Sequence, residues 1–317
     1  MNANVISQGL IRCPVCISKL NTLGTQLKCT NRKCAAIYPI VDGVPILINE
    51  AMSVFSLSDF TTQKSLIPES KQSEWKKIVW RLIPSISKNI RAGENYDRLT
   101  ELLLASTPVP RVLVIGGRVI GEGMEKLAAS RLIELIETDV AFGPRTSIVC
   151  DAHCLPFEDN SFDGVIAQAV LEHVVDPIRC VDQFHRVLKN GGLVYAETPF
   201  IAQVHMGAHD FTRFTHLGHR RLFRHFDEIE SGAVCGPGMA LAWSYRYFLL
   251  SFASSKTLRM LIHIFAGFTS FFLKYFDLFL IDKRGVYDAA LGYFFIGKKG
   301  NNILSDRDLM KLYRGAG

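Results

Sequence analysis

No apolar run in the sequence reaches the roughly 18 to 20 uninterrupted residues that a membrane-spanning helix requires. The nearest, residues 260–273, is closed by Arg259 and Lys274, so a soluble or membrane-peripheral chain is expected. The first residues, MNANVISQGLIRCPVC, lack the basic start, apolar stretch and small-residue cleavage site of a secretory signal, and a cytoplasmic address is expected. Excess charge of one sign is also scarce: 36 Lys and Arg against 30 Asp and Glu leave a formal +6. That balance permits an acidic partner such as phosphate or an anionic membrane face without demanding one, and nucleic acid is not the expected partner. The glycine-rich turn Gly116-Gly117-Arg-Val-Ile-Gly121-Glu-Gly123 has neither Gly-x-Gly-x-x-Gly spacing nor a Gly-Lys-Ser/Thr ending, which excludes the dinucleotide fingerprint and the phosphate loop there. What is present is apolar sequence, 48% of 317 residues, enough for one large domain and a small one.

Eight cysteines are in the chain. Cys150, Cys154, Cys180 and Cys235 are scattered and read as core packing. Cys13 and Cys16, then Cys29 and Cys34, form two pairs separated by twelve residues. A zinc ion held by four thiolates needs two such knuckles brought together by a hairpin, so these four are candidate metal ligands; free buried thiols are the alternative. Zinc so held has no open coordination position and supports no catalysis. Residues 37–48 alternate β-formers around the Asp42-Gly43 turn and would complete a small β-ribbon. This block, residues 1–49, resembles the zinc-ribbon proteins that activate partner methyltransferases, whose hallmark is two cysteine knuckles followed by Tyr-Pro-x-x-Asp-Gly-x-Pro, here Tyr38 to Pro45. It departs from them in the four residues inside the second knuckle, where two is commoner.

Residues 50–108 turn polar and read as a helical linker. Trp75, Ile78, Val79, Leu82 and Ile83 fall at helical spacing before Pro84, and residues 96–105 form a second helical pattern. Their apolar faces are docking surfaces or a lid over a cofactor pocket.

Residues 111–115 form a buried strand that runs into the glycine turn, where a backbone without Cβ atoms lets a ligand approach closely. The next strand, residues 132–138, ends in Asp139, placed to accept both hydroxyls of an adenosine ribose; a solvated surface acid is the alternative. Strands follow at residues 147–150, 162–168 and 193–197, with an amphipathic helix between the last two. Ligands of parallel α/β sheets sit at the carboxyl ends of the strands, and these ends carry Asp151, Gln168 with Glu172, and Glu197 with Thr198. Asp163, Asp176-Pro177 and the Asn190-Gly-Gly turn read as structural punctuation.

The segments Asp151-Ala-His-Cys-Leu-Pro-Phe157, Ser161-Phe-Asp163-Gly-Val, Val170-Leu-Glu-His-Val-Val-Asp-Pro177 and Arg186-Val-Leu-Lys-Asn-Gly-Gly192-Leu resemble the class I S-adenosylmethionine-dependent methyltransferases, in particular the group that includes the quinone-biosynthesis methyltransferases. The resemblance implies an α/β, Rossmann-like fold over residues 109–300: a seven-stranded sheet, its last strand antiparallel between the fifth and sixth, with helices on both faces. It implies S-adenosyl-L-methionine as cofactor. Gly116, Gly117 and Gly121 would turn around its methionine part, Asp139 would hold the ribose, and Asp151 with Ala152 would meet the adenine edge. Gln168 would face the methionine part and the transferred methyl. The family usually has an acid where Val114 stands, so contacts to the cofactor's amino and carboxylate ends are expected to differ here, with Arg118 placed to meet the carboxylate and Glu122 the ammonium.

In this fold the segment after the fifth strand borders the methyl-acceptor site, which makes His205, His209, Asp210 and Arg213 the expected acceptor-site residues. A similar His-Asp-aromatic-x-Arg-Phe-Thr run occurs in bacterial methyltransferases that often sit among cell-envelope glycan genes. Histidine suits a general base near neutral pH, and arginine grips a phosphate or carboxylate through two hydrogen bonds. A polar loop that only closes the site is the alternative, and His205 with His209 lacks a third metal ligand at telling spacing. His216, His219 and His225, in or beside a helix at 217–226, are expected to face solvent or a partner. Between a sixth strand (227–234) and a seventh (289–298), residues 238–284 insert helices richer in aromatics than one buried face requires. They read as a cap, a homodimer contact, or a surface resting on the inner face of the membrane. Residues 301–317 are a tail with a short helix. The expected activity is methyl transfer to an oxygen or nitrogen of a small-molecule or glycan- or lipid-linked acceptor. The rival is a non-catalytic cofactor-binding scaffold that activates a partner methyltransferase on RNA.

Overall fold

The structure is a computed structural model that describes residues 9–61 and 82–317. The linker pattern built on Trp75, Ile78 and Val79 lies outside the described residues.

Apolar runs of strand length fall where the sequence places them. They form β5 (Arg111–Ile115), β6 (Glu134–Asp139), β7 (Ile148–Cys150), β8 (Phe162–Gln168), β9 (Leu188–Pro199), β10 (Phe226–Cys235) and β11 (Gly292–Lys299). Their order is β7-β6-β5-β8-β9-β11-β10, parallel except for β11, which pairs antiparallel with both β9 and β10. The expected placement of the last strand is therefore present. Strand β9 starts earlier than expected, because the glycine turn is absorbed into it: Gly191 has φ +75°, and the β8–β9 register shifts between Phe162 and Gly164.

The expectation of seven strands beside a separate ribbon needs correction. The N-terminal block folds into β1 (Leu20–Leu23), β2 (Gln26–Cys29), β3 (Ile37–Val41) and β4 (Val44–Leu47), and β4 pairs parallel with β7 through Ile46 to Val149 and Leu47 to Cys150. Among the described residues one sheet of eleven strands results. The cause is visible in β4: all of Val44, Pro45, Ile46 and Leu47 are buried, as a strand covered on both faces requires.

Helices fill both faces because alternate strand residues point to opposite sides. On one face Leu113, Val165, Val194 and Phe295 meet Cys180, Val181, Phe184 and Val187 of α4 (Pro177–Val187), and the ribbon residues Cys13, Leu27 and Tyr38 join that core. On the other, Val112, Val114, Ile166 and Tyr195 meet Tyr96, Leu99 and Leu103 of α2 (Ala92–Ser106), with Leu127 of α3 (Glu125–Ala129). A short α1 (Leu57–Thr61) follows the ribbon.

Two further corrections concern the C-terminal third. His216 and His219 lie on α5 (His216–Leu222) but are buried, not solvated: His219 sits edge-on to Phe223 at 5.2 Å and His216 to Tyr287 at 4.7 Å. His225, half-buried, faces His185 at 5.9 Å. The insertion comprises α6 (Pro237–Leu250), α7 (Lys256–Ser270), a 3-10 turn (Phe271–Tyr275), α8 (Asp277–Leu280) and α9 (Val286–Ala289). Against the expectation of no spanning-length segment, Lys256–Leu280 is a helical run of 25 residues, long and apolar enough by length and composition to cross a membrane. Lys274 and Asp277 of this run face inward. The Asp277 carboxylate accepts from the Gly238 and Met239 N–H groups at 2.7 and 2.9 Å, and Lys274 Nζ donates to the Ser85 carbonyl. Its aromatics face outward, Phe279 being 75% exposed, together with Phe252 at 69% on the connection from α6. The tail carries α10 (Asp306–Met310).

Candidate functional site

Two cavities open at the carboxyl ends of β5, β6, β8 and β9 and share a wall made of Gly121, Gln168 and Ala169. The first has a volume of about 400 Å³ and is lined by Gly116, Gly121, Asp139, Asp151, Ala152 and Gln168, six of the seven residues expected to hold a cofactor. Gly117, the seventh, supports the turn from behind: its N–H donates to the Thr138 carbonyl at 2.9 Å, and a Cβ there would stand 2.9 Å from the Glu137 Cβ. Gly116 has φ +73°, a conformation L side chains rarely adopt, and a Cβ on it would meet Val170 at 2.7 Å.

Asp139 points into this cavity with the Arg118 N–H at 3.2 Å, and burial raises its carboxyl above the ordinary value. Asp151 is more heavily engaged. Its Oδ1 accepts from the His153 N–H at 2.9 Å and from His153 Nδ1, and its Oδ2 accepts from the Ser53 hydroxyl. Burial pushes Asp151 up, but the hydrogen bonds from His153 and Ser53 outweigh it and hold the carboxyl below its usual range. The Asp176 N–H donates to His153 Nε2 at 3.0 Å, which fixes the ring proton on Nδ1. Ser53, Val54 and Phe55 follow the ribbon directly, and the latter two line the cavity, Phe55 stacking on the His209 ring at 5.9 Å.

The second cavity, about 350 Å³, is lined by Asn89, Glu122, Glu172, Glu197, His205 and Trp243 among others. Glu197 is a heavily hydrogen-bonded carboxylate there. Its Oε2 accepts from Asn89 Nδ2 at 3.0 Å and Gln168 Nε2 at 3.1 Å, and its Oε1 from the Tyr195 hydroxyl. Burial pushes its carboxyl up to about 7 in spite of these bonds. Gln168 thus links the cavities: its Nε2 also donates to the Glu122 carbonyl at 3.0 Å, and its Oε1 accepts from the Tyr96 hydroxyl at 3.1 Å. Ala169, next to it, has φ +53°, a sparsely populated conformation for a residue with a side chain at a shared cavity wall.

The four histidine-loop residues divide. His205 lines the second cavity and His209 the first. Asp210 and Arg213 line neither. Arg213 donates both to Asp210 and to the carbonyls of Ala202, Gln203 and Thr212, while Asp210 Oδ2 accepts from the His205 N–H at 2.8 Å. Hydrogen bonds from Arg213 hold Asp210 well below the usual carboxylate range. The pair clamps the loop, which is docked on the Glu172 carbonyl by the N–H groups of Phe211 and Thr212 at 2.8 and 3.2 Å.

At the ribbon, Cys13 Sγ lies 3.7 Å from Cys34 Sγ and Cys16 Sγ 3.5 Å from Cys29 Sγ, and all four sulfurs lie within 4.8 Å of one another. Thiolates about 2.3 Å from a tetrahedral zinc would be about 3.8 Å apart, so the donor set fits the ion. Sequence reasoning missed Ser53, Phe55 and Asn89, which enter from segments far from the motifs, and passed over His153 and His173 inside them. His153 lay beside Ala152 and His173 beside Glu172, both residues already singled out.

Residues 121–196 match the methyltransferase domain family. The mouse mitochondrial arginine-hydroxylase NDUFAF5 is 37% identical over 67 residues, 21% of this chain and 19% of that protein. A demethylmenaquinone methyltransferase of Staphylococcus epidermidis is 50% identical over 44 residues, 14% of this chain and 18% of that protein. The chain spans about a fifth of the length of these curated relatives. Among solved structures, phosphoethanolamine N-methyltransferase 2 of Haemonchus contortus in complex with S-adenosyl-L-methionine aligns with a TM-score of 0.44 and 17% identity, over 78% of this chain and 60% of that one.

Proposed function

We propose that this chain is an S-adenosylmethionine-dependent methyltransferase that binds its cofactor in the first cavity and its acceptor in the second. The observation that carries the reading is the shared wall: Gln168, Ala169 and Gly121 separate a cavity with a strand-end acid and close-packed glycines from one with a buried carboxylate that burial raises to about 7. Asp139 is suited to accept from two ribose hydroxyls. Asp151 would have to share its oxygens with Ser53 and His153 to meet the adenine edge, so Ala152 and His153 carry more of that contact.

When bound, the cofactor supplies a sulfonium methyl that an acceptor lone pair attacks in line, the C–S electron pair remaining on sulfur. The chain's own work is to hold the acceptor close and aligned, to keep water out, and to take the proton that an O–H or N–H acceptor loses. Glu197, which burial raises to about 7, suits the last task. An oxygen or nitrogen acceptor fits this arrangement.

Zinc bound by Cys13, Cys16, Cys29 and Cys34 is the second part of the reading. The pairing of β4 with β7 and the contact of Ser53 with Asp151 support a ribbon that acts on this chain in cis rather than on a separate partner. A lipid-linked acceptor is favoured by the insertion: α6 supplies Met239 and Trp243 to the second cavity, and the outward aromatics lie on the same insertion. Such a face would rest on the inner membrane surface.

Calorimetry with S-adenosylmethionine tests the core of the proposal. Saturable binding is expected, weakened about tenfold or more in Asp139→Ala, the equivalent of roughly 1.4 kcal/mol. Unaltered affinity in that variant would remove the ribose assignment, and no binding by the wild-type chain would remove the function.

A further inference from the structure

We infer that Glu172, His173 and His205 form a second metal site, for a divalent transition ion, in the wall between the two cavities. Their three ligand atoms lie within 4.8 Å of one another, one buried carboxylate and two imidazoles. Both rings have their tautomer set from behind. His173 Nδ1 donates to the His209 carbonyl at 2.8 Å, and His205 Nδ1 donates to the Gln203 carbonyl at 3.3 Å with Asp210 Oδ2 at 3.4 Å. A carbonyl only accepts, so each Nδ1 carries the proton and each Nε2 a lone pair. These two lone pairs face one another with Nε2 to Nε2 at 3.0 Å, and Glu172 Oε1 lies 3.7 and 3.9 Å from them. Two nitrogen lone pairs at that distance repel unless a cation lies between them. Nitrogens about 2.1 Å from one ion at a right angle would be about 3.0 Å apart.

A second, independent observation points the same way. Glu172 Oε2 is buried without a hydrogen-bond partner among the described residues. A buried carboxylate oxygen left unpaired is costly, and an ion bound to that carboxylate supplies its missing counter-charge. Backing of each imidazole by an acceptor on its far nitrogen is the arrangement metal-ligating histidines use. Two histidines and one carboxylate suit manganese, iron, cobalt or zinc better than magnesium or calcium, and three protein ligands leave coordination positions open. Glu172 and His205 line the second cavity and His173 the first, so an open position faces the space assigned to the acceptor. The ligand class is therefore an oxygen donor such as a hydroxyl or a pair of neighbouring hydroxyls. That acceptor role rests on the methyltransferase reading; the ion's binding does not.

The test is titration of the full-length, zinc-replete chain with Mn²⁺, read by the loss of the free-ion electron paramagnetic resonance signal; thiolates favour the zinc already on them over manganese. Saturable binding of one Mn²⁺ per chain is expected, weakened about tenfold or more in His205→Ala and in Glu172→Gln and unchanged in His225→Ala. Absence of saturable binding, or equal affinity in all four proteins, overturns the site. Each protein is also titrated with S-adenosylmethionine. Retained cofactor binding in His205→Ala shows that its fold is intact, and cofactor binding lost in the wild type with manganese binding kept would sink the methyltransferase reading while leaving the metal site standing.

Discussion

Glu197 shows how one residue's surroundings set its chemistry. Three donors, Tyr195, Asn89 and Gln168, would stabilise its charged form, yet enclosure outweighs them and moves the carboxyl from 4.5 to about 7. The unfolded chain releases this proton near 4.5 and the folded chain holds it to about 7, so the folded state binds more protons between those values. Its contribution is full below pH 4.5 and is lost as pH rises through 7, by an amount on the order of 3 kcal/mol. Glu197→Gln should therefore show a smaller fall in urea midpoint between pH 5 and pH 8 than the wild type; an equal fall would show that Glu197 titrates normally. At this scale the sequence was legible where a residue ends a strand, as with Asp139, Asp151 and Gln168. It could not show which polar residues satisfy one another. Asp210 and Arg213, three apart, have the composition of an anion site, but their hydrogen bonds are used within their own loop.

Among the elements, α5 carries the largest departure from its composition. A run of two histidines and two arginines reads as a solvated helix, but Phe223, Phe295, Tyr287 and Tyr293 enclose it, and contacts from so far along the chain leave no periodic trace. Burial lowers His216 to about 4 and His219 to about 3, with Arg314 and Arg220 adding to the effect on His216 and His216 and Arg220 to that on His219. Unfolded histidine binds its proton near 6.5, so both groups contribute stability above that pH that is lost as pH falls toward 4 and 3. His219→Leu should make the acid side of the urea-midpoint profile shallower, and an unchanged slope between pH 6.5 and pH 4 would mean the loss arises elsewhere. The insertion was legible as helices but not in its orientation. Asp277 and Lys274 turn inward to cap α6 and hold the segment before α2, which forces the phenylalanines outward. Co-sedimentation with vesicles of mixed neutral and anionic lipid should capture the wild-type chain and lose most of it with Phe252→Ser and Phe279→Ser together. Equal capture of that variant would detach the aromatics from membrane contact.

Across the whole molecule, the ribbon and the first cavity are one mechanical unit. The two cysteine pairs were plain in the sequence, and so was the turn at Asp42-Gly43. The joining of β4 to β7 was not, because a parallel pairing between distant segments has no local signature and β4 alone reads as the last strand of a hairpin. No cysteine of the ribbon lines the first cavity, yet Ser53 and Phe55, which follow β4, reach Asp151 and His209. Metal analysis should find one zinc in the ribbon, lost in Cys13→Ser, and that variant should bind S-adenosylmethionine several-fold more weakly, since second-layer supports typically matter about tenfold or more. Full cofactor affinity in a ribbon stripped of zinc would separate the two halves of the unit.

The pairing of Ile46 with Val149 also orders events during synthesis, because strand β4 leaves the ribosome about a hundred residues before its partner exists. At roughly 5 to 20 residues per second that interval is about 5 to 20 seconds. Within it the ribbon can close, and its four cysteines would have time to capture an ion, while the outer edge of β4 stands unpaired. If the four cysteines hold zinc, as proposed, metal supply would thus be sampled first, and a chain made without it would meet its own nascent sheet with no finished edge to offer it.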